Sequence, residues 1–356
     1  MDEKKVATKR FVSPQRAMRK FTATAMVTLF GSLAVLIFLL PLGYMLVTAF
    51  KNMQQIVDPN AHFLPSSPVT YVYDGKEYPL YFVPFEDGER QLALIRKGRE
   101  DSDFIDPQNP DAGSIHWVGR WRTLKPVYRL DPTLENFPKA WKQINFGRLF
   151  VNTLFIAVVG MIGTLLSSIA VAYGFSRFRI PGINVLFLVL IATIILPSQV
   201  TLIPTYIFFR TIGWGGTWAP LIIPHFFANA YNVFMLRQYF RGIPKDLDEA
   251  AMIDGASPLR VLLSVIVPQS WPAITAVAMF HFFWSWNDFF NPLVYLQGKE
   301  DLYTISVGLT QFNNIYAVQP GLAMAAAIMS IALPIFIFFV SQKVFMQGIV
   351  ITGVEK

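Results

Sequence analysis

The chain has 356 residues, of which 53% are hydrophobic and only 15% are charged, and its formal net charge is +7. About a quarter of the residues of a typical soluble domain are charged, so this composition excludes a single water-soluble globule. The absence of cysteine also excludes disulfides and thiolate metal sites.

Six windows contain no Lys, Arg, Asp or Glu: 21–50, 149–176, 180–209, 211–236, 261–287 and 302–342. A membrane-spanning helix needs about 20 apolar residues, so each window is long enough to cross a bilayer. The first apolar run, 23–50, far exceeds the apolar region of roughly 7–15 residues in a signal peptide, and it therefore predicts a permanent anchor. We predict an all-α polytopic membrane protein with six transmembrane helices.

The basic residues predict the orientation of these helices. Seven Lys and Arg against two acids lie in the first 20 residues, and short basic flanks stay in the cytoplasm. Six crossings then place both termini in the cytoplasm of a cell-membrane protein. The loops predicted on that side carry the bases Arg177, Arg179, Arg237, Arg241, Lys245 and Arg260. The predicted parts are a basic N-terminus (1–22), a first helix (23–50), an outer module (51–148), a five-helix core (149–345) and a cytoplasmic tail (346–356).

Residues 51–148 carry 13 acids and 13 bases, and they contain strand and turn signals. Asp74-Gly75 between two alternating runs predicts a β-hairpin over Thr70–Val83. Further strands are predicted at 91–95, 115–121 and 127–130. The stretch 100–113, rich in Asp, Pro and Asn, predicts a flexible excursion. Long loops translocate largely regardless of their charge, so we expect a β-rich extracytoplasmic insertion.

The sequence contains no recognisable catalytic or metal-binding motif. The Gly-Lys pairs at 75–76 and 298–299 are followed by Glu and lack the upstream glycine of a phosphate-binding loop. The four histidines have no ligand-like spacing, and no nucleophile is paired with a base. We therefore expect a chain that is not an enzyme, binds no metal or cofactor and does not hydrolyse nucleotides itself.

The stretch 241–268, between the fourth and fifth windows, is longer than a simple turn requires. Pro244 suits the first position of a helix, and Gly255 suits its left-handed C-terminal cap. Ser257 suits the N-cap of a second helix that starts at Pro258. Two short helices would form a projecting knob that enters the cleft of a partner. The alternative is a polar connector that lies against its own helix bundle.

The same loop resembles a known family. It contains Glu249-Ala250-Ala251, then three residues, Gly255, nine residues and Val265–Pro268. This pattern is similar to the signature loop of ATP-binding-cassette (ABC) importer permeases. Three further blocks resemble the sugar-transporting branch of that family, in particular the smaller maltose-system permease: 196–204, 236–245 and 285–293. The resemblance extends from Asn152 to the C-terminal end of the sequence.

The resemblance implies the type I ABC importer permease fold and a half-pore for a sugar, such as an oligosaccharide, a disaccharide or a related polyol or sugar phosphate. Its implied partners are a second homologous permease, two cytoplasmic ABC ATPases that bind ATP and Mg, an extracytoplasmic sugar-binding protein and membrane lipid. It implies no nucleic acid. The residues assigned to ATPase coupling are Glu249 (charge-assisted contact), Ala250 and Ala251 (close packing), Asp254 (polar contact) and Gly255 (turn).

Polar and aromatic side chains at helical spacing are candidates for the translocation path. Polar groups at membrane depth are costly and usually face the bundle interior or a water-filled cavity. Residues at i, i+3, i+4 and i+7 share one helix face. The candidates are His225, Asn229 and Asn232 on helix four, His281, Trp284, Asn287 and Asp288 on helix five, and Ser198 and Gln199 after Pro197 on helix three. The alternative role for each is hydrogen bonding between helices without substrate contact.

Other functions remain open at this point. An ion-coupled secondary transporter or a channel would normally carry ionisable groups deep in the membrane, whereas Asp288 lies near a helix end. An ABC permease for a non-sugar solute would share the signature loop. A receptor whose outer module binds a ligand would not explain that loop. The outer module itself either docks the binding protein or forms a structural lid.

Overall fold

A computed structural model describes residues 14–58, 61–85, 88–313 and 318–350, and the side chains at 14–17, 198–199 and 345–350 lie outside that description. The chain divides into two compact units, with the boundary between Thr133 and Leu134. The described residues are mostly helical, and their strands all lie in the first unit.

The described part of the first unit begins with helix α1 (Pro14–Ala49), followed by the short helix α2 (Met53–Val57). The stretch Met18–Ala49 is long and apolar enough to cross a bilayer. Large apolar side chains along it are exposed, as expected for a helix that meets lipid rather than water. Helix α1 begins before residue 23, where the sequence predicted its start.

Strands follow α2 in the first unit. They are β1 (Ser66–Pro68), β2 (Thr70–Tyr73), β3 (Lys76–Phe85), β4 (Gly88–Arg96), β5 (Asp101–Ile105), β6 (Ile115–Val118), β7 (Lys125–Pro126) and β8 (Tyr128–Leu130). Strands β2 to β6 form a sheet in chain order, β7 pairs with β3, and β1 pairs with β8. All of these pairings are antiparallel. The side chains of this sheet form an apolar core, which includes Val83, Leu92, Leu94 and Phe104.

The predicted β-hairpin forms between β2 and β3, where Tyr73 pairs with Lys76. Asp74 and Gly75 both have positive φ angles, 48° and 74°, as a type I′ turn requires. The turn twists in the same sense as the flanking strands, and this explains why the Asp-Gly pair predicted the position of the hairpin.

The prediction of a flexible excursion over 100–113 is wrong for its first part, which forms β5 between β4 and β6. Phe104 is fully buried. Asp103, on the same strand, accepts hydrogen bonds from Arg96 at 2.5 Å and His116 at 2.8 Å. These bonds lower the pKa of Asp103 to about 2. Asp101 and Asp103, two of the acids that indicated a loop, are therefore paired across the sheet.

All the named secondary-structure elements in the described part of the second unit are helices. Its α-helices are α3 (Asn136–Gln143), α4 (Phe146–Arg177), α5 (Ile183–Ala192), α6 (Ser198–Thr211), α7 (Ala219–Ile222), α8 (Ala230–Gly242), α9 (Asp246–Ile253), α10 (Pro258–Val261), α11 (Val267–Gln269), α12 (Trp271–Asn287), α13 (Phe290–Tyr295), α14 (Ile305–Gly308) and α15 (Pro320–Val350).

Four helical stretches of the described residues can cross a membrane by length and composition: Met18–Ala49, Phe146–Arg177, Ala219–Gly242 and Pro320–Val344. Two further candidates are broken. One break separates Ile183–Ile195 from Val200–Thr211, and the other is an 81° bend between Pro258–Gln269 and Trp271–Asn287. Pro197 stands at the first break, where the residue before a proline is disfavoured in a helix. Six spans result only if each broken pair counts as one.

Helices α4, α8, α10 and α12 pack around one apolar core. Its fully buried members include Val233 and Leu236 of α8, Val261 of α10 and Val277 of α12. Because this core includes α10, it holds the end of the 241–268 loop against the membrane helices.

Candidate functional site

Residues 241–268 form two helices joined by a tight turn, as predicted. Helix α9 begins at Asp246, so Pro244 precedes the helix rather than occupying its first position. The carbonyl of Lys245 accepts the first helical hydrogen bonds, from the N–H groups of Asp248 at 2.9 Å and Glu249 at 3.1 Å. Asp246, Asp248 and Glu249 lie in the first turn, where negative charge is favourable.

Gly255 ends α9 in the left-handed conformation that was predicted for it, with φ of +82°. Its N–H donates to the carbonyl of Met252 at 3.0 Å, and the N–H of Ala256 donates to the carbonyl of Ala251 at 2.9 Å. This pair of bonds is the Schellman motif, which favours glycine at the left-handed position. The direction in which the chain leaves α9 therefore depends on Gly255.

Ser257 starts the second helix, also as predicted. Its hydroxyl oxygen accepts a hydrogen bond from the N–H of Arg260 at 3.4 Å and caps α10. The helix continues through a π-helical turn, Leu262–Ile266, into α11. The loop is thus an ordered helical pair that leads directly into α12.

The two faces of α9 differ. Four of the five residues assigned to coupling are exposed: Glu249, Ala250, Asp254 and Gly255. Ala251 is partly buried and packs against the apolar core of this chain, and its contact with a partner stays a prediction. The exposed side chains of Leu247, Met252 and Ile253 extend the outer face with apolar surface. The inner face of α9 lies against its own bundle, and the outer face is exposed.

A buried ion pair fixes the inner face of α9. Nε of Arg177, the last residue of α4, lies 2.6 Å from Oδ2 of Asp248, and the side chains are 6% and 7% exposed. Burial raises the pKa of the Asp248 carboxyl, while the Arg177 guanidinium acts in the opposite direction. Sequence reasoning missed this pair because it treated Arg177 only as a topology signal, and no local pattern connects residues so far apart in sequence.

A cavity of about 350 Å³ lies among helices α4, α8 and α12. Five of the nine candidates for the translocation path line it, together with three residues that were not predicted. The lining residues are Thr164, His225, Asn229, Tyr231, Asn232, Phe280, His281 and Trp284. Thr164 gave no sequence signal because several other Ser and Thr residues occupy the same uncharged helix.

The prediction that three residues share one continuous face of helix four is wrong, although all three line the cavity. His225 lies in a 3₁₀ turn, Ile223–Phe226, and the chain is extended at Asn229. Asn229 is the N-cap of α8, and its Oδ1 accepts from the N–H groups of Tyr231 at 3.0 Å and Asn232 at 3.4 Å. The break brings the candidates together around the cavity in a different geometry.

Two histidine rings meet at the cavity wall. His281 is only 6% exposed, and its Nδ1 lies 3.0 Å from Oγ1 of Thr164. The His225 ring stands edge-on to it, with the ring centres 4.5 Å apart, and the Trp284 ring centre lies 5.5 Å from that of His225. Trp284 itself is 53% exposed. The cavity therefore combines an accessible aromatic face with imidazole, amide and hydroxyl groups.

Gly160 of α4 makes room for the two histidine rings. A Cβ atom there would lie 2.9 Å from Nε2 of His281 and 3.2 Å from Cδ2 of His225. Overpacking of this kind costs about 1–3 kcal/mol. We expect Gly160→Val to displace the rings into the cavity and to lower both the melting temperature and solute uptake.

The control for Gly160→Val is Gly174→Ala on the same helix, where an added Cβ meets nothing within 4 Å. Alanine also favours a helix more than glycine does, so this variant should melt no lower than the unaltered protein. An unchanged uptake rate in Gly160→Val would contradict the packing described here.

The remaining candidates lie elsewhere. Asp288 lines a second cavity of about 220 Å³, which shares His225 and Trp284 with the first, and it accepts a hydrogen bond from Nδ2 of Asn291 at 2.9 Å. Asn287 is exposed, donates to the carbonyl of Phe283 at 2.8 Å and lines neither cavity. The side chains of Ser198 and Gln199 lie outside the described residues.

Comparisons with known proteins identify relatives of this chain. Residues 163–350 match the family of binding-protein-dependent transport system inner membrane components. The osmoprotective compounds uptake permease protein GgtD of Synechocystis sp. is 33% identical over 258 residues, which cover 71% of this chain and 85% of that protein. The diacetylchitobiose uptake system permease protein NgcG of Streptomyces coelicolor is 30% identical over 212 residues, which cover 59% and 70%.

A solved structure shares the fold. In the crystal structure of a bacterial ABC transporter involved in the import of the acidic polysaccharide alginate, one chain superposes with a TM-score of 0.64 at 20% identity, covering 94% of this chain and 98% of that one. The fold is that of a type I ABC importer permease, and the resemblance found in the sequence is confirmed. The chain belongs to the family of binding-protein-dependent transport system inner membrane components, and it is a permease subunit rather than an enzyme.

Proposed function

We propose that this chain forms one half of the pore of a sugar importer powered by partner ATPases. Related permeases are named for the uptake of osmoprotective compounds and of diacetylchitobiose. The observation that carries the cargo class is the 350 Å³ cavity and its lining. The face of Trp284 suits the C–H surface of a sugar ring, and the amide and imidazole groups suit its hydroxyls. Binding sites commonly combine apolar walls with a few placed polar groups.

In the proposed topology, each broken helix pair crosses the membrane once, giving six spans. The excess of Lys and Arg in the first 20 residues and in the short loops supports cytoplasmic termini. Loop 241–268 then faces the cytoplasm, and segment 51–148 lies outside. We assign this outer segment to docking of the binding protein, with a structural lid as the alternative.

In the proposed mechanism, the outer face of α9 seats in a cleft of an ABC ATPase. Glu249 supplies a charge-assisted contact, and Ala250 keeps the surface low enough for close approach. When the two ATPases close on ATP, the knob moves with them and the membrane helices rock as a rigid body. A second, homologous permease supplies the other half of the pore.

Trp284→Ala tests the cargo site. Because this side chain is more than half exposed, its removal should cost little folding stability. We expect sugar uptake to fall about tenfold, which corresponds to a loss of about 1.4 kcal/mol of binding, while assembly with the ATPases is retained. The measurement is uptake of radiolabelled sugar into proteoliposomes that contain the assembled transporter.

The matched control is Trp271→Ala at the start of the same helix, because Trp271 is 60% exposed and lines neither cavity. Asn229 should be changed to Asp rather than Ala, since an Asp side chain can still cap α8 while losing the amide donor. If Trp284→Ala and Asn229→Asp both transport like Trp271→Ala, this cavity is not on the sugar path.

A further inference from the structure

The buried Arg177–Asp248 ion pair lies outside both the cavity and the exposed face of α9. It joins the last residue of a membrane helix to the first turn of the loop that we propose contacts the ATPase. Arg177 Nη2 also donates to the carbonyl of Ile243 at 3.0 Å. One guanidinium group therefore holds the start of the loop at two points.

Helix α4 makes a further contact with the same loop. The hydroxyl of Tyr173 donates to the carbonyl of Pro258, the first residue of α10, at 3.0 Å. The last turns of α4 thus bind the entry to the loop at Ile243, helix α9 at Asp248 and helix α10 at Pro258.

The ion pair is not explained by stability alone. Removing two charges from water is costly, and well-packed apolar residues often replace a buried pair without loss of stability. Asp248 Oδ1, Arg177 Nη1 and Arg177 Nε have no hydrogen-bond partner among the described residues, although Nε lies in ion-pair contact with Asp248 Oδ2, so the charges are not fully compensated. Such a pair favours one geometry strongly, because either charge left alone in the interior is strongly unfavourable.

Helix α4 leads from this pair to the cavity. It runs without a proline from Phe146 to Arg177, and 13 residues separate Thr164 from Arg177, or about 20 Å at 1.5 Å per residue. Thr164 contacts His281 at the cavity wall. A displacement of the loop end of α4 therefore reaches the lining of the cavity through one continuous helix.

We propose that the Arg177–Asp248 ion pair connects the cytoplasmic knob to α4 and transmits its movement to the cavity. Arg177 and Asp248 are positioning residues. They do not touch the sugar, and their charged groups do not touch the ATPase. This inference rests on the proposed function, because it assumes that the outer face of α9 contacts an ATPase.

The test is the ratio of sugar taken up to ATP hydrolysed in proteoliposomes that contain both permeases, the ATPases and the binding protein. In Asp248→Asn we expect the ATPases to remain bound, because the outer face of α9 is unchanged, and the ratio to fall about tenfold, a coupling effect of ordinary size between distant sites. The matched control is Asp246→Asn, an exposed acid of the same helical turn, for which the ratio should stay within about twofold.

A second variant separates transmission from folding. The double variant Arg177→Met/Asp248→Leu removes both buried charges, so its Tm should return to that of the unaltered protein. Its ratio of sugar taken up to ATP hydrolysed should stay low. If Asp248→Asn does not assemble with the other subunits, the ratio is measured in the double variant instead. An unchanged ratio in Asp248→Asn, or recovery of both Tm and the ratio in the double variant, would overturn the proposal. Failure of the proposed function is distinct, because the unaltered transporter would then show no bound ATPase and no ATP-driven uptake.

Discussion

Gly255→Val is expected to abolish substrate-stimulated ATP hydrolysis while leaving membrane insertion intact. Gly255 has a φ of +82°, and the left-handed conformation costs about 1–2 kcal/mol for a residue with a Cβ, with β-branched residues the least tolerant. Nothing lies within 4 Å of an added Cβ. The cost is therefore conformational, and the chain can relieve it by changing the angle between α9 and α10. That change would tilt the outer face of α9 away from its partner.

Two further variants isolate the backbone effect. Gly255→Asn should retain most of the stimulation, because Asn tolerates the left-handed region better than other residues with a Cβ. Gly242→Val places the same side chain on the last residue of α8, where φ is not positive and an added Cβ also meets nothing within 4 Å. The ATPase rate is measured with and without sugar-loaded binding protein. Full stimulation in Gly255→Val would exclude a role for this turn in coupling.

Glu249→Lys should release the ATPases from the permease. Glu249 is exposed in the first turn of α9, and it makes no ion pair within the described ranges. A hydrogen bond to a charged group contributes about 1.5–3 kcal/mol, and reversal of the charge adds repulsion. We therefore expect Glu249→Gln to weaken co-purification of the ATPases about tenfold and Glu249→Lys to abolish it.

Glu300→Lys is the matched control for this charge reversal, because Glu300 is an exposed acid in the outer loop of the proposed topology. Its expected result is normal recovery of the ATPases. The second permease should co-purify with all three variants, which would show that each one inserts and pairs. Equal recovery of the ATPases with Glu249→Lys and Glu300→Lys would refute the assigned contact.

The parts of the structure that depend on local sequence were predicted well. The caps at Gly255 and Ser257 were predicted because their hydrogen bonds join residues only three to five positions apart. The Asp74-Gly75 turn is fixed in the same way. Uncharged windows located the apolar helices because charged side chains are costly and therefore rare at membrane depth.

The parts that depend on distant residues were missed. The pairing of Arg177 with Asp248 and the half-burial of Ala251 both arise from the packing of α9 onto α4 and its neighbours. The acids in and around β5 predicted a loop. The strand forms nevertheless, because Asp103 is paired with residues on β4 and β6. The break before α8 was hidden because Asn229 fits both an uninterrupted helical spacing and an N-cap.

The cavity contains both residues that the sequence predicted and residues that only the structure reveals. Five of its residues were found because polar groups at membrane depth usually face the bundle interior, which applies even where the helical spacing is interrupted before α8. Gly160, which admits the two histidine rings, carries no chemistry of its own and is recognised only from the space around it. Fold and family thus followed from the sequence, while the connection between loop and cavity required the structure.

The most direct test of the proposed function is ATP hydrolysis by the complete assembly in proteoliposomes, measured with its binding protein and a panel of mono- and disaccharides. A sugar importer should hydrolyse ATP faster with one class of sugar-loaded binding protein and should accumulate that sugar only when ATP is present. Tagged permease that brings down no ATPase, or uptake that follows an ion gradient without ATP, would contradict it.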